Sequence, residues 1–202
     1  IQYRQHQIKV QISPETLMPL ELYAKARPEF RAKVIAHKKD RTLPLGENLT
    51  LIFEDELTIR YQVQEMLRVE RIFEEEGILD ELGAYNPLVP DGSNWKATML
   101  LEYPDENERR TRLAQLIGIE DKVWVQVAGS DRVFAIADED LERENEQKTS
   151  SVHFLRFELT SPMVSALRSG ALLAMGVDHP NYSATVPRIS DAMCASLMAD
   201  LA

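Results

Sequence analysis

One cysteine in 202 residues rules out an internal disulfide framework, and with it any all-cysteine zinc or iron–sulfur site within the chain. That thiol, Cys194, falls in an apolar helix pattern and reads as a buried, inert group rather than a nucleophile. No apolar run approaches the roughly 20 residues of a membrane span. The longest, Ala171 to Val177, suits a buried strand. There is no Walker loop, no G-x-G-x-x-G after a strand, no C-x-x-C, no H-E-x-x-H and no G-x-S-x-G. Nucleotide-dependent, thiol-redox and common hydrolase chemistries thereby lose their usual signatures. No signal-peptide pattern, low-complexity tract or internal repeat stands out, so a soluble protein in the cytoplasm is the expectation.

Positive charge is in short supply, with 23 Lys and Arg against 33 Asp and Glu, a formal net charge of -10. The deficit is uneven: the first 41 residues hold nine Lys or Arg against four Asp or Glu. Arg27, Arg31, Lys33, Lys38 and Lys39 spread around a short helix with no interleaved aromatic platform. That pattern fits a solvated face, or docking onto the acidic remainder of the chain. Nucleic-acid binding is not expected.

Ser13-Pro14 signals a helix start, and Pro19 and Pro28 predict helical pieces at about 14–26 and 28–39 rather than one rod. LTLIFEDELTIRYQV predicts a β-hairpin turning at Glu54-Asp55-Glu56, although its second arm equally fits a helix running into QEMLRVERIF. Asn86-Pro87, Pro90 and Asp91-Gly92 make a rigid loop. From Trp95 strands dominate. Ala97, Met99, Leu101 and Tyr103 alternate, and Asp105 with Glu108 opens a helix that stops at Gly118. Val123 to Ile136 forms a hairpin across Gly129-Ser130-Asp131. A charged loop spans 138–149, SVHFLRFELT is a strand, Ser161-Pro162 starts a helix and Ser190 caps the last one. The sum is an α+β fold, with residues 1–92 as a helical and hairpin part and 93–202 as an antiparallel sheet with helices, together one unit.

Glu70 is the first candidate site. Met66, Leu67, Val69 and Phe73 form an apolar helical stripe, and Glu70 falls inside it. A buried carboxylate needs a partner. Arg60, Arg68 or Arg71 would make it an ion pair, and its replacement by Ala would then cost about 3–5 kcal/mol. A metal would make it a ligand. The helix lacks the Glu-x-x-His pair of di-iron bundles, and Glu74 to Glu76 read as an exposed helix end.

Asp178-His179-Pro180-Asn181-Tyr182 follows a buried strand, where functional side chains gather. His179 is the candidate base or ligand, with Asp178 orienting it and Tyr182 beside it. The plainer reading is a turn in which His179 donates to a backbone carbonyl. His153 shares a strand face with Leu155 and Phe157 and so points inward. Were His153, His179 and Glu70 to converge, they would suit iron, manganese or zinc. His37 complements the C-terminal dipole of its helix. Leu88 and Val89, in the rigid loop, offer either a connector or a docking edge.

The segments ELYAKARPEFRAKVIAHKKDRTLPLGENLTLIFED, QVQEMLRVERIFEEEGILDELGAYNPLVPDG, EYPDENERR and GVDHPNY resemble a bacterial family of uncharacterised proteins, a domain of unknown function. The resemblance runs from about Leu17 onward. It implies genes lying beside a rubrerythrin-like di-iron protein and a heterodisulfide-reductase-like iron–sulfur protein. It therefore implies an accessory role in redox or peroxide stress metabolism, exercised through those partners. No site residues come with it. The alternative is a metal-dependent enzyme or metal-binding protein built on Glu70, His153 and His179.

Overall fold

The structure is a computed structural model, which describes residues 11–202. A 3-10 turn at Pro14–Thr16 precedes helix α1 (Leu20–Lys38), which starts directly after Pro19. The break expected at Pro28 does not occur, and α1 runs through it. Pro28 is exposed, and the helix is anchored on both sides of it by buried Tyr23, Phe30 and Val34. The Tyr23 and Phe30 rings meet edge to face at 6.2 Å.

Strands β1 (Thr42–Leu45) and β2 (Leu49–Glu54) form the hairpin of this region, in register from Thr42↔Ile52 to Leu45↔Leu49. Its turn needs Gly46, at φ 75°, where a Cβ would lie 2.5 Å from the Tyr182 hydroxyl. The hairpin expected to turn at Glu54-Asp55-Glu56 is instead a strand followed by helix α2 (Glu56–Glu70). Asp55 is the helix cap, not a turn residue. Its carboxylate accepts from Thr58 N, and the Thr58 hydroxyl accepts from Asp55 N, both at 3.0 Å. The buried face of α2 is Ile59, Val63 and Leu67, one residue every turn.

Helix α3 (Glu75–Tyr85) follows after Arg71 turns the chain left-handed at φ 54°. Then come β3 (Asn94–Leu101), α4 (Glu106–Gln115), β4 (Val123–Val127), β5 (Val133–Phe134) and β6 (Ile136–Ala137). The chain continues through β7 (Val152–Glu158), α5 (Ser161–Arg168), β8 (Leu173–His179), β9 (Tyr182–Val186) and α6 (Asp191–Met198). Asp105, Thr160 and Ser190 cap their helices through side-chain oxygens.

Within the two sheets, every pairing between the strands described is antiparallel. One sheet has the order β1-β2-β3-β7-β6 and the other β5-β4-β8-β9. The fold is thus α+β, and its first sheet draws strands from both sides of residue 92. The hairpin expected from Val123 to Ile136 holds only as far as Phe134. Beyond buried Ala135 the chain changes sheets, and Ile136 pairs with Arg156. Leu51, Phe53, Trp95 and Phe157 of the first sheet share one core with Val125, Met175 and Val177 of the second. A separate apolar cluster joins Ile59, Val63 and Leu67 to Leu82 and Val89.

Candidate functional site

The two sheets meet at a cluster of buried ionisable groups. His153 lies on β7 among inward-facing residues, as its alternation with Leu155 and Phe157 predicts, and is fully buried. Asp138 directly follows β6 and holds a left-handed backbone at φ 49°, which a residue other than glycine rarely adopts. Glu120 sits in the 3-10 turn Ile119–Lys122 ahead of β4, where Gly118 at φ 81° stops the preceding segment. Thus β6 and β7 of one sheet and the approach to β4 of the other each supply one group.

The contacts are close. His153 Nδ1 lies 2.5 Å from Asp138 Oδ2, and its Nε2 lies 2.8 Å from the Thr149 hydroxyl and 3.9 Å from Glu120 Oε2. Asp138 Oδ1 accepts from Phe154 N at 3.0 Å and from Arg143 at 3.1 Å, which leaves Oδ2 for the ring or a cation. One ligand atom from each of Glu120, Asp138 and His153 lies within 4.8 Å of the others. Burial, with the Glu144 carboxylate adding to it, pushes the Glu120 carboxyl well above the ordinary glutamate range. Two carboxylates, one buried and one partly buried, with one imidazole can share a proton network or hold a divalent cation. A cavity of about 360 Å³, lined by Arg109, Arg143, Lys148, Thr149 and Ser150, adjoins the cluster.

The residues expected to form the site are spread apart. Glu70 ends α2 on its exposed face, beside Val69 at 60% and Phe73 at 70% exposure. The stripe containing Glu70 was therefore the wrong face of the helix, and the requirement for a partner lapses with it. His179 closes β8 at the two-residue turn into β9. There Nε2 donates to Ile117 O at 2.9 Å and Nδ1 accepts from Asn181 N at 3.1 Å. Both of its ring nitrogens are thus engaged by the backbone. Asp178 is exposed and pairs with Arg132, whose guanidinium stacks 3.8 Å above the Trp124 ring. The Tyr182 hydroxyl donates to Leu45 O at 2.5 Å and accepts from Asn48 N and Leu49 N at 3.1 Å, stitching the β1–β2 turn. Of the expected metal set, His153 alone sits in the cluster. Its true neighbours, Glu120 and Asp138, lacked any signal in an acid-rich sequence.

A second polar centre also escaped the sequence. Arg41 is 1% exposed and donates to Phe53 O at 2.8 Å, Glu54 O at 3.1 Å, Ser196 O at 3.1 Å and Asp200 Oδ2 at 2.5 Å. Burial pushes the Asp200 carboxyl up to about 6, against the pull of Arg41. His37 does lie in the last turn of α1, but its Nε2 also meets Asp55 Oδ2 at 2.5 Å. Cys194 is partly buried, and that burial raises its thiol pKa, as an inert group requires. Val89 is buried against α2 and α3, so this part of the rigid loop is a connector.

Fold and cluster together define an α+β protein with a buried histidine between one buried and one partly buried carboxylate. The chain belongs to the family described as protein of unknown function (DUF3501), whose sequence pattern matches residues 11–201. It is similar to a crystal structure of a novel protein of unknown function from Burkholderia pseudomallei K96243. The two share 53% identity and a TM-score of 0.91, over 96% of this chain and 100% of that one. No curated protein matches it. No helix among the described residues is long and apolar enough to cross a membrane.

Proposed function

We propose that the protein binds a divalent transition-metal ion at Glu120, Asp138 and His153. The observation that carries this reading is the 4.8 Å convergence of three donors, two buried and one partly buried, from separate parts of the chain. Two carboxylates with one imidazole suit manganese, iron or zinc, and the absence of thiolates disfavours softer ions. Thr149 holds His153 Nε2 and lies 3.5 Å from Glu120 Oε2, so its hydroxyl orients both groups. The accessory role beside iron–sulfur or rubrerythrin-like proteins rests on the family resemblance alone, whereas the metal reading rests on a built cluster.

Titration of tag-free protein with Mn²⁺, followed by loss of the free-ion electron paramagnetic resonance signal, tests the reading. One ion per chain is expected, with affinity lowered at least about tenfold in both Glu120→Gln and Asp138→Asn. His179→Ala should bind as the unaltered protein does. Absence of stoichiometric binding, or equal binding by the two carboxamide variants, would overturn it.

A further inference from the structure

Lys96, in the middle of β3, has no hydrogen-bond or ion-pair partner among the described residues. Its cross-strand neighbours are Glu54 on β2 and Arg156 on β7. Glu54 is already held by the hydroxyls of Thr58 and Thr98. Arg156 pairs with Glu139 at 2.9 Å and Glu158 at 2.6 Å. Lys96 therefore faces a like charge across one strand and a committed carboxylate across the other. Burial holds its ammonium below the ordinary lysine range. The Glu139, Asp91 and Glu158 carboxylates offset part of the cost of that burial from a distance, and none of them makes a hydrogen bond or close ion pair with the amine, which leaves a direct contact open to an anion.

A cavity of about 580 Å³ opens over this amine, between α3 and the outer face of β7. Met66, Tyr85, Leu88, Leu141 and Phe154 give it an apolar wall. Its other charged lining is mostly spent internally, Glu139 on Arg156 and Asp140 on Arg143. Glu81, on α3, adds one further carboxylate, which opposes a second negative charge on any occupant. A second cavity of about 510 Å³ shares Lys96, Gly83 and Pro87, so the amine stands where two hollows adjoin. Size and lining are those of a small-molecule site, an apolar trough with one placed polar group.

We propose that this trough binds an amphipathic monocarboxylate, whose head pairs with Lys96 and whose tail lies along Tyr85, Leu88, Leu141 and Phe154. The trough contains none of the three proposed metal ligands, although Arg143 in its lining also donates to Asp138. Octanoate is the probe, followed through the backbone amide resonances of residues 83–85 and 154–156. Saturable one-to-one shifts are expected with the unaltered protein. Affinity should fall at least tenfold in Lys96→Met, which removes a half-buried charge at nearly the same length and keeps the fold. Lys96→Arg should bind within a few-fold, and 1-octanol should bind at least tenfold more weakly than octanoate. The proposal is overturned by non-saturable shifts, by undiminished binding in Lys96→Met, or by octanol binding as well as octanoate.

Discussion

Glu65 accepts hydrogen bonds from Tyr23 Oη and Arg27 Nε at 2.7 Å and from Arg68 Nη2 at 3.1 Å. Burial pushes its carboxyl up, but the three donors outweigh that and hold it at about 2, well below the ordinary glutamate range. A carboxyl depressed on folding contributes stability that is complete above its unfolded value and is lost as pH falls through its folded one. The advantage of the unaltered protein over Glu65→Gln, followed by urea unfolding, should therefore be constant above about pH 5 and shrink toward pH 2. Glu70 lies on the exposed face of the same helix. Its replacement by Ala should change unfolding free energy by no more than about 0.5 kcal/mol, instead of the 3–5 kcal/mol a buried ion pair would give. Arg41 has the opposite standing. Arg41→Ala strands Asp200, whose side chain is 7% exposed, and should cost about 3–5 kcal/mol in the same measurement.

Among elements, α1 carries an avoidable cost. Pro28 removes one helical hydrogen bond at an exposed position inside a 19-residue helix. Pro28→Ala should raise stability by about 1–3 kcal/mol, seen as a higher thermal midpoint. The sequence did announce elements whose signal is local. The alternation of β3 and β7 and the Asp105 and Ser190 caps are each decided within a few residues, whereas α4 ends at Gln115, ahead of the expected stop at Gly118. The start of α2 was ambiguous because Asp55 suits a turn and a helix cap equally, and the capping box with Thr58 decides for the helix. Glu70 was misplaced for a different reason: the apolar stripe extends to Phe73, whereas α2 ends at Glu70 and Arg71 turns left-handed. Once α2 begins at Glu56, its buried face is fixed by Ile59, Val63 and Leu67. The inward turn of His153 was legible from its strand. Its partners were not, because Asp138 and Glu120 reach it only through the pairing of β6 with β7 and the meeting of two sheets. No local pattern encodes either event.

At the scale of the molecule, the cluster ties together parts that the core alone would leave to apolar packing. Asp138 stands where the chain returns from the second sheet to the first, and its N–H donates to Phe154 O at 2.8 Å. Its left-handed backbone is held by that bond and by the return bond to Phe154 N. Glu120 approaches from the second sheet, so an ion shared by the three groups would clamp both sheets and couple metal binding to folding. The most direct measurement is an anomalous difference map from crystals of tag-free protein soaked in Mn²⁺. A single strong peak is predicted at about 2.0–2.3 Å from His153 and from carboxylate oxygens of Glu120 and Asp138. A map with no peak there, with the His153–Asp138 contact still at 2.5 Å, would contradict the assignment.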